Sequence, residues 1–412
     1  MLSLGAAGVA AAESTAPLPP SLAALASRKA EAKPITVEER KGRIEQAQRL
    51  MKENQLDAIC LMGGTSLVYF TGIRWWNSER LFFMVLPRRG EPWFVVPSFE
   101  EDRAREQISE GPAGANAQVV KWDEDENPYE KVAFGLKERG VRAGTVGMEE
   151  TVKFVFADGV AKAAPQAKIS SATAVTAGCR VVKSPAEIAL MRLAAQVTLQ
   201  AYEAAYKAIR PGMTQFEFAQ LVSTAHDRLG FRGGAGVQVA EYSALPHGSL
   251  KPQAIREGTI LLMDGGCSVE GYSSDISRTF VIGKPTDKMK KVFDIVHQAQ
   301  TAAWKTARPG LPCEALDAAA RKIVEDAGYG PGYTYFSHRL GHGMGMDGHE
   351  WPYLVKGNKL PLAPHMTFSD EPGIYIKGEF GVRLEDDLHI LDDGAELFTP
   401  QSPSLENPFA TS

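Results

Sequence analysis

TILLMDGGCSVEGYSSDISRTFVI, residues 259–282, is the stretch on which the fold turns. An apolar run ends in Asp264, a Gly-Gly pair follows, and the chain returns through Asp275 into a second apolar run. Two such runs around a glycine-bearing turn predict an antiparallel hairpin. The eleven-residue spacing of Asp264 and Asp275 centres on the 269/270 bond. The hairpin is therefore expected to set the two carboxylates opposite each other. Aspartate also favours turns at strand ends, and this pair alone does not separate a turn role from a shared site.

Three further segments place polar residues where stability does not ask for them: HRLGHGMGMDGHE (338–350), SDEPGIY (369–375) and GVRLEDD (381–387). Together with the hairpin they supply Asp264, Asp275, His342, Glu371 and Glu385. Four carboxylates and one imidazole are a ligand set for two divalent cations, roughly 3.5–4 Å apart, that activate water for hydrolysis. Glycines at 341, 343 and 345 argue against reading His338 and His342 as a helical pair. They let backbone come close to a ligand. His338, His342 and His349 form the densest histidine group in the chain. In GVRLEDDLHI, alternation sets Val382, Leu384, Leu388 and Ile390 on one face and Arg383 with Glu385 on the other. That placement suits Arg383 for orienting a neighbouring carboxylate. Taken alone, the EDD run also fits a solvated strand edge.

The C-terminal half repeats itself. YKAIRPG (206–212) returns as WKTARPG (304–310), each preceded by a long helical pattern and followed by a second amphipathic one. Ser184, Pro185 and Glu187 mark a sharp helix start. A duplicated α+β half with approximate two-fold symmetry is expected, with a site between the halves.

Upstream, a capping box at Thr36 and Glu39 opens the first folded unit. The runs at 58–62, 82–86, 93–97 and 145–148 read as strands, the middle two as a hairpin, with a helix over 128–139. The boundaries expected are 36–178 for this α/β unit and 179–412 for the catalytic one. The adjacent Trp75 and Trp76 are its candidates for lining a pocket, with core or interface packing an equally good reading. Residues 1–35 read as a disordered Ala/Pro tail or the remnant of an export signal: the small apolar stretch fits a signal, but no positive n-region precedes it. The expected compartment is the cytoplasm, with export as the alternative.

The chain has 412 residues, is 44% apolar, and carries a net charge of −5 with pI near 6.0. That size accommodates two domains, and the charge gives no footprint for nucleic acid. No apolar run is long enough to span a membrane. Four scattered cysteines suggest reduced thiols rather than a disulfide framework or zinc ribbon.

The ordered set Asp, Asp, His, Glu, Glu resembles the metallopeptidase family with the pita-bread fold, which includes methionyl aminopeptidase, aminopeptidase P, prolidase and creatinase. The resemblance covers about 36–405, because the first unit is similar to the N-terminal domain of the creatinase, prolidase and aminopeptidase P members. It implies that Asp264 binds one metal, that Asp275 and Glu385 bridge two, and that His342 and Glu371 complete the shells. Manganese is the expected metal, with cobalt, zinc or iron as alternatives. Glu371 would also shuttle a proton, His247 and His349 would bind substrate and the tetrahedral intermediate, and His338 and Arg383 match further pocket residues of the family.

The branch implied is Xaa-Pro dipeptidase, with aminopeptidase P as the alternative. A non-catalytic peptide-binding module or a creatinase-type C–N hydrolase is disfavoured by the intact ligand set. A small peptide is the expected partner and a homodimer the expected assembly.

Four departures from the family pattern stand out. No arginine lies between the His and first Glu ligands, where only Lys356 and Lys359 offer positive charge for a substrate carboxylate. RGGAGVQ (232–238) lacks an expected tyrosine. His365 replaces a usual glycine. Asp370 stands beside Glu371, where like-charge repulsion is expected to alter that ligand's proton affinity.

Overall fold

The computed structural model describes residues 17–409. The first unit is built on a six-stranded mixed sheet. Its strands are β1 (Ala58–Leu61), β2 (Phe83–Pro87), β3 (Trp93–Pro97), β4 (Gln118–Trp122), β5 (Thr145–Met148) and β6 (Lys168–Ser171), in the order β4-β3-β2-β1-β5-β6. β1, β2 and β3 are buried at every residue, since helices cover both faces. Along β1 alternate residues feed opposite layers: Ile59 and Leu61 join one apolar cluster, Ala58 and Cys60 the other. This two-sided burial explains why these runs read as continuously apolar. The expected hairpin between β2 and β3 and the Thr36–Glu39 capping box are both present. The helix Thr173–Arg180 runs through residues 178 and 179, so the chain crosses to the second unit just after it.

The second unit is the predicted duplication. In its first half, helices Pro185–Tyr206 and Gln215–Leu229 precede β7 (Arg232–Val239), β8 (Ile260–Val269), β9 (Tyr272–Ser273) and β10 (Ile276–Val281). In its second half, helices Asp287–Thr306 and Glu314–Asp326 precede β11 (Gly341–Gly343), β12 (Glu350–Leu354), β13 (Thr367–Asp370), β14 (Gly373–Ile376), β15 (Phe380–Arg383), β16 (Asp386–Ile390) and β17 (Ala395–Leu397). One sheet runs β10-β8-β7 and the other carries β16-β13-β11 in the same sense, extended by β12 and β17. The halves thus share two helices followed by three strands in the same spatial order.

Two expectations need correction. Residues 17–35 are not a tail apart from the fold: Leu22, Leu25 and Ile35 are buried with the helices of the second unit. Ser21 Oγ donates to the Ala204 carbonyl at 2.8 Å, and the Arg28 amide to the Leu229 carbonyl at 2.9 Å. The Ala/Pro-rich composition hides these three apolar residues, which bury their area on a ready-made helical surface. The part of the proposed tail before residue 17 lies outside the described residues.

The second correction concerns register. Val269 pairs with Tyr272, so the turn is Glu270-Gly271, both with positive φ (53° and 92°). That is the two-residue turn whose twist matches paired strands. Asp264 therefore faces Ser277, not Asp275.

A buried polar junction joins the units. Arg43 Nη2 donates to the Tyr272 hydroxyl at 2.8 Å, which in turn donates to Glu187 Oε1 at 2.8 Å. Arg43 also lies 3.3 Å from Glu187, and its Nη1 donates to the Tyr69 carbonyl. Removing one member of a buried pair leaves an uncompensated charge, a loss of about 3–5 kcal/mol. Arg43→Met is expected to lower stability to denaturant by that order. Arg43→Met combined with Glu187→Gln should recover part of the loss; strictly additive effects in this cycle would refute the coupling.

Candidate metal centre

The five candidate ligands reach one point because both halves deliver them at matching places. Asp275 immediately precedes β10, and Glu385 immediately precedes β16. Asp264 sits in β8, and Glu371 directly follows the equivalent β13. His342 comes from β11, which lies between β12 and β13. Gly341 permits this strand to lie where it does, since a Cβ there would overlap the Ser369 carbonyl.

Three overlapping groups of side-chain atoms, each within 4.8 Å, have the geometry to hold a cation: Asp264 with Asp275 and Glu385, His342 with Glu371 and Glu385, and Asp275 with His342 and His349. Asp275, His342 and Glu385 each belong to two of these groups, and of the three only the carboxylates Asp275 and Glu385 have two oxygens to share between neighbouring cations. His342 Nδ1 donates to the Gly343 carbonyl at 3.1 Å, leaving Nε2 to face the acids, 3.3 Å from Glu371 and 3.9 Å from Asp275. A backbone partner on the far nitrogen is the usual way a ligand imidazole is oriented.

The electrostatics of the metal-free cluster call for positive charge. Loss of solvation, then repulsion from Asp264, pushes Asp275 up to about 7. Burial and Asp275 hold Glu385 well above the ordinary carboxylate range. Ser277 Oγ lies 2.8 Å from Asp264 and 2.6 Å from Glu385, while accepting from Arg383 Nε at 2.9 Å. One hydroxyl proton serves only one carboxylate, so the second contact needs a proton on Glu385, in keeping with its raised value. Glu371 goes the other way. Burial would raise it, but the hydrogen bond and charge of His342 prevail and hold it at about 2. The same pairing raises His342 against its own burial. A cation on His342 Nε2 would displace the proton behind both shifts. The donor set and its unmet negative charge fit a pair of divalent cations.

Around the ligands lies a set of donors. Arg383 donates to Asp264 Oδ2 at 2.6 Å, to the Tyr375 hydroxyl at 3.0 Å and to the Pro246 carbonyl at 3.0 Å. The carboxylate it contacts belongs to a candidate ligand of the other half, Asp264. His338 Nδ1 donates to the Arg339 carbonyl at 2.8 Å, so its Nε2 accepts from Tyr375, 2.8 Å away. Burial pushes that phenol up to about 12, which keeps it a donor. His349 stacks on His342 with ring centroids 3.6 Å apart.

Several expectations fare differently. His247 is exposed in a surface cleft with Phe216 and Gln238, and touches the centre's surroundings only through its neighbour Pro246. Trp75 is buried in the core of the first unit against Phe82, and Trp76 stacks on it under Arg103. Lys359 ion-pairs with Glu314 at 3.0 Å, and Lys356 shares a surface cleft with that glutamate, so neither lysine joins the cluster. Asp370 is fully buried and held well above the carboxylate range by burial, then by Asp386 and Glu371. Burial and the neighbouring acids thus act against the charged form of Asp370, while His342 holds Glu371 low. His365 takes the left-handed conformation (φ 67°) that its usual glycine would adopt.

Sequence reading missed Tyr375, Ser277, Arg278, Asp386 and Asp387. Arg278 and Asp386, both fully buried, pair at 2.7 Å, while Asp387 accepts the Asp275 amide at 3.1 Å. Ser277 and Arg278 did carry a signal, as polar residues inside an apolar strand pattern.

Asp275 rises from 3.8 to about 7 on folding without metal. The folded state then binds more protons, so the metal-free protein is expected to lose stability as pH rises through that window. The slope is at most about 1.4 kcal/mol per pH unit for one group. Denaturant titrations of chelated protein at pH 5, 6 and 7 check this: Asp275→Asn should flatten the profile, and an unchanged slope would contradict the assignment. Metal loading near pH 6 should release protons.

Residues 189–392 match metallopeptidase family M24, and residues 43–182 match the creatinase/prolidase N-terminal domain. An Xaa-Pro dipeptidase of Lactobacillus delbrueckii subsp. lactis is 32% identical over 372 residues, covering 88% of this chain and 98% of the relative. The crystal structure of dipeptidase PepE from Mycobacterium ulcerans superposes with a TM-score of 0.84 at 30% identity, over 91% of this chain and 99% of that one. A prolidase from Thermococcus sibiricus gives 0.78 at 31% identity, over 87% and 96%. The chain belongs to metallopeptidase family M24, and carries the creatinase/prolidase N-terminal domain ahead of its catalytic pita-bread domain.

Proposed function

We propose that this chain is an Xaa-Pro dipeptidase that works with two divalent cations held by Asp264, Asp275, His342, Glu371 and Glu385. The observation that carries this reading is the overlap of cation-sized ligand groups at shared carboxylates. The dipeptidase and prolidase relatives, matched along nearly their whole length, support the substrate class. Manganese is the metal proposed, since a carboxylate-rich set with one imidazole suits it; cobalt, zinc and iron are the alternatives.

When bound, the cations would supply Lewis-acid polarisation of the scissile carbonyl and an attacking water acidic enough to act at neutral pH. The remaining work falls to the chain. Glu371 takes the proton of the attacking water and passes it to the departing proline nitrogen. His349, stacked on His342, donates to the substrate and to the developing oxyanion, while His247, exposed in its own cleft, could act only on the outer part of a bound peptide. Arg383 fixes Asp264 and keeps the Tyr375 hydroxyl aimed at His338, so the wall opposite the ligands is set before substrate arrives. Trp76, 53% exposed, is proposed as part of the substrate mouth formed by the first unit.

The same reading places the protein in the cytoplasm, where its four free, buried cysteines stay reduced. None of the described helices is long and apolar enough to cross a membrane. We propose a homodimer joined through the first unit, which exposes Phe154 and Val155. Light scattering giving one chain per particle would exclude it.

The functional test offers metal-loaded protein Ala-Pro, Ala-Pro-Ala and Ala-Ala side by side. Ala-Pro is expected to be cleaved at least tenfold faster than either of the others. Chelation should abolish activity, and Mn²⁺ or Co²⁺ should restore it. Comparable cleavage of Ala-Pro-Ala would move the assignment to aminopeptidase P; comparable cleavage of Ala-Ala would remove the proline requirement. Glu371→Gln should lower kcat by about 10²- to 10⁴-fold.

A further inference from the structure

A dipeptide carries its free carboxylate one residue from the bond to be cut, and a site that selects dipeptides needs a cation within reach of it. Most cations around the metal centre are already engaged. Arg383 holds Asp264, Tyr375 and the Pro246 carbonyl. Arg278 holds Asp386, and Arg321 holds Asp317. Arg180 and Lys183 hold Glu350, the residue after His349. The two lysines expected to serve stand with Glu314, away from the ligands.

Arg339 is different. It is half-buried, and its side chain makes no hydrogen bond or ion pair among the described residues. Its guanidinium lies 4.0 Å from the centroid of the Tyr353 ring. Tyr353 pairs with the ligand His342 across β11 and β12, and directly paired residues project from the same face of a sheet. Tyr353 and Arg339 therefore stand on the side of the sheet where His342 meets the acids. His349 is stacked on His342, and the positive charge of Arg339 reaches it. The Arg339 carbonyl also anchors His338. A guanidinium lying on an aromatic face is held in orientation while its N–H edge stays free for a planar anion.

We infer that Arg339 is a carboxylate-binding residue of the substrate site, holding an anionic group of the peptide at the rim of the metal centre. The inference rests on the dipeptidase reading above and names the determinant which that reading lacked. The group is either the C-terminal carboxylate of the dipeptide or the side chain of an acidic first residue, and substrates separate the two.

The test measures kcat and KM of the full-length, Mn²⁺-loaded protein on Ala-Pro, Ala-Pro amide and Glu-Pro, for the wild type, Arg339→Met and Arg339→Lys. Metal content is recorded for each. A charge-assisted hydrogen bond corresponds to about a 10- to 100-fold effect. Arg339→Met is expected to raise KM for Ala-Pro by that factor, with a much smaller change in kcat and on the amide. That result assigns the terminal carboxylate. A loss confined to Glu-Pro assigns the acidic side chain and equally supports the inference. Arg339→Lys should recover part of the loss, keeping the charge without the planar fork. Equal losses on all three substrates, or none on any, overturn it. If Arg339→Met does not fold, Arg339→Gln and Arg339→Lys carry the same comparison. Wild-type protein that leaves Ala-Pro intact while metal-loaded refutes the dipeptidase reading itself, and this inference with it.

Discussion

The catalytic half is organised around like charges held together out of water. Asp264, Asp275, Glu371 and Glu385 converge on atoms a few ångströms apart, where each ionised carboxylate opposes its neighbours and its own desolvation. No apolar packing nearby compensates that directly. The protein meets the cost in two ways: it lends fixed positive charge and donors from Arg383 and Ser277, and burial shifts Glu385 and Asp275 toward their protonated forms. Divalent cations bound to this donor set would offset the same repulsion directly.

Such a cluster needs a scaffold stiff enough to resist its own repulsion, and the duplicated architecture provides it. Each half packs two helices on a sheet of the same strand order, and the ligands come from equivalent strand ends. The seam between halves is buried polar structure. The Glu385 amide donates to the Ser277 carbonyl at 3.2 Å, and Arg278 reaches back to the Glu385 carbonyl at 2.9 Å. Separating the halves would strand a buried guanidinium, so the seam resists opening by the same logic that makes buried pairs costly to break. The first unit reinforces the arrangement from outside: Thr65 and Arg180 both hold Asp347, on the loop that carries His349.

Much of this was legible because its causes are local. Capping boxes at Thr36 and Ser184, the Arg-Pro-Gly stops and the glycine-flanked histidine announce themselves within a few residues. The ligand identities were legible for the opposite reason, that polar residues in apolar patterns have no local cause. What escaped depends on partners distant in sequence. The hairpin register was displaced because positive φ at Glu270 as well as Gly271 set the turn, and a glutamate gives little warning of that conformation. For Asp386 and Asp387 a solvated edge stood only as the alternative, and they are fully buried because the other half of the domain closes over β16 and supplies Arg278 and the Asp275 amide. Lys356 and Lys359 misled in the same way: proximity in sequence to the ligands put them on the list, and the course of β12 carried them outward.

The outer ring of acids shows how the charge of the centre is fixed. Asp386 is neutralised by Arg278, with further hydrogen bonds from Thr399 and Gln300. Asp370 and Asp387 are buried without such a cation, and burial keeps both well above the ordinary carboxylate range. Were they ionised, their charge would compete with the ligands for the same cations and raise the proton affinity of Glu371, the residue asked to move a proton. Shifted in that direction, they supply shape and, at Asp387, an acceptor for the Asp275 amide. The field of the centre is then set mainly by the carboxylates that converge on one another. The guanidinium of Arg339, standing unpaired at the rim, is then the complement of that design: positive charge left free outside the cluster, where the anionic end of a substrate would arrive.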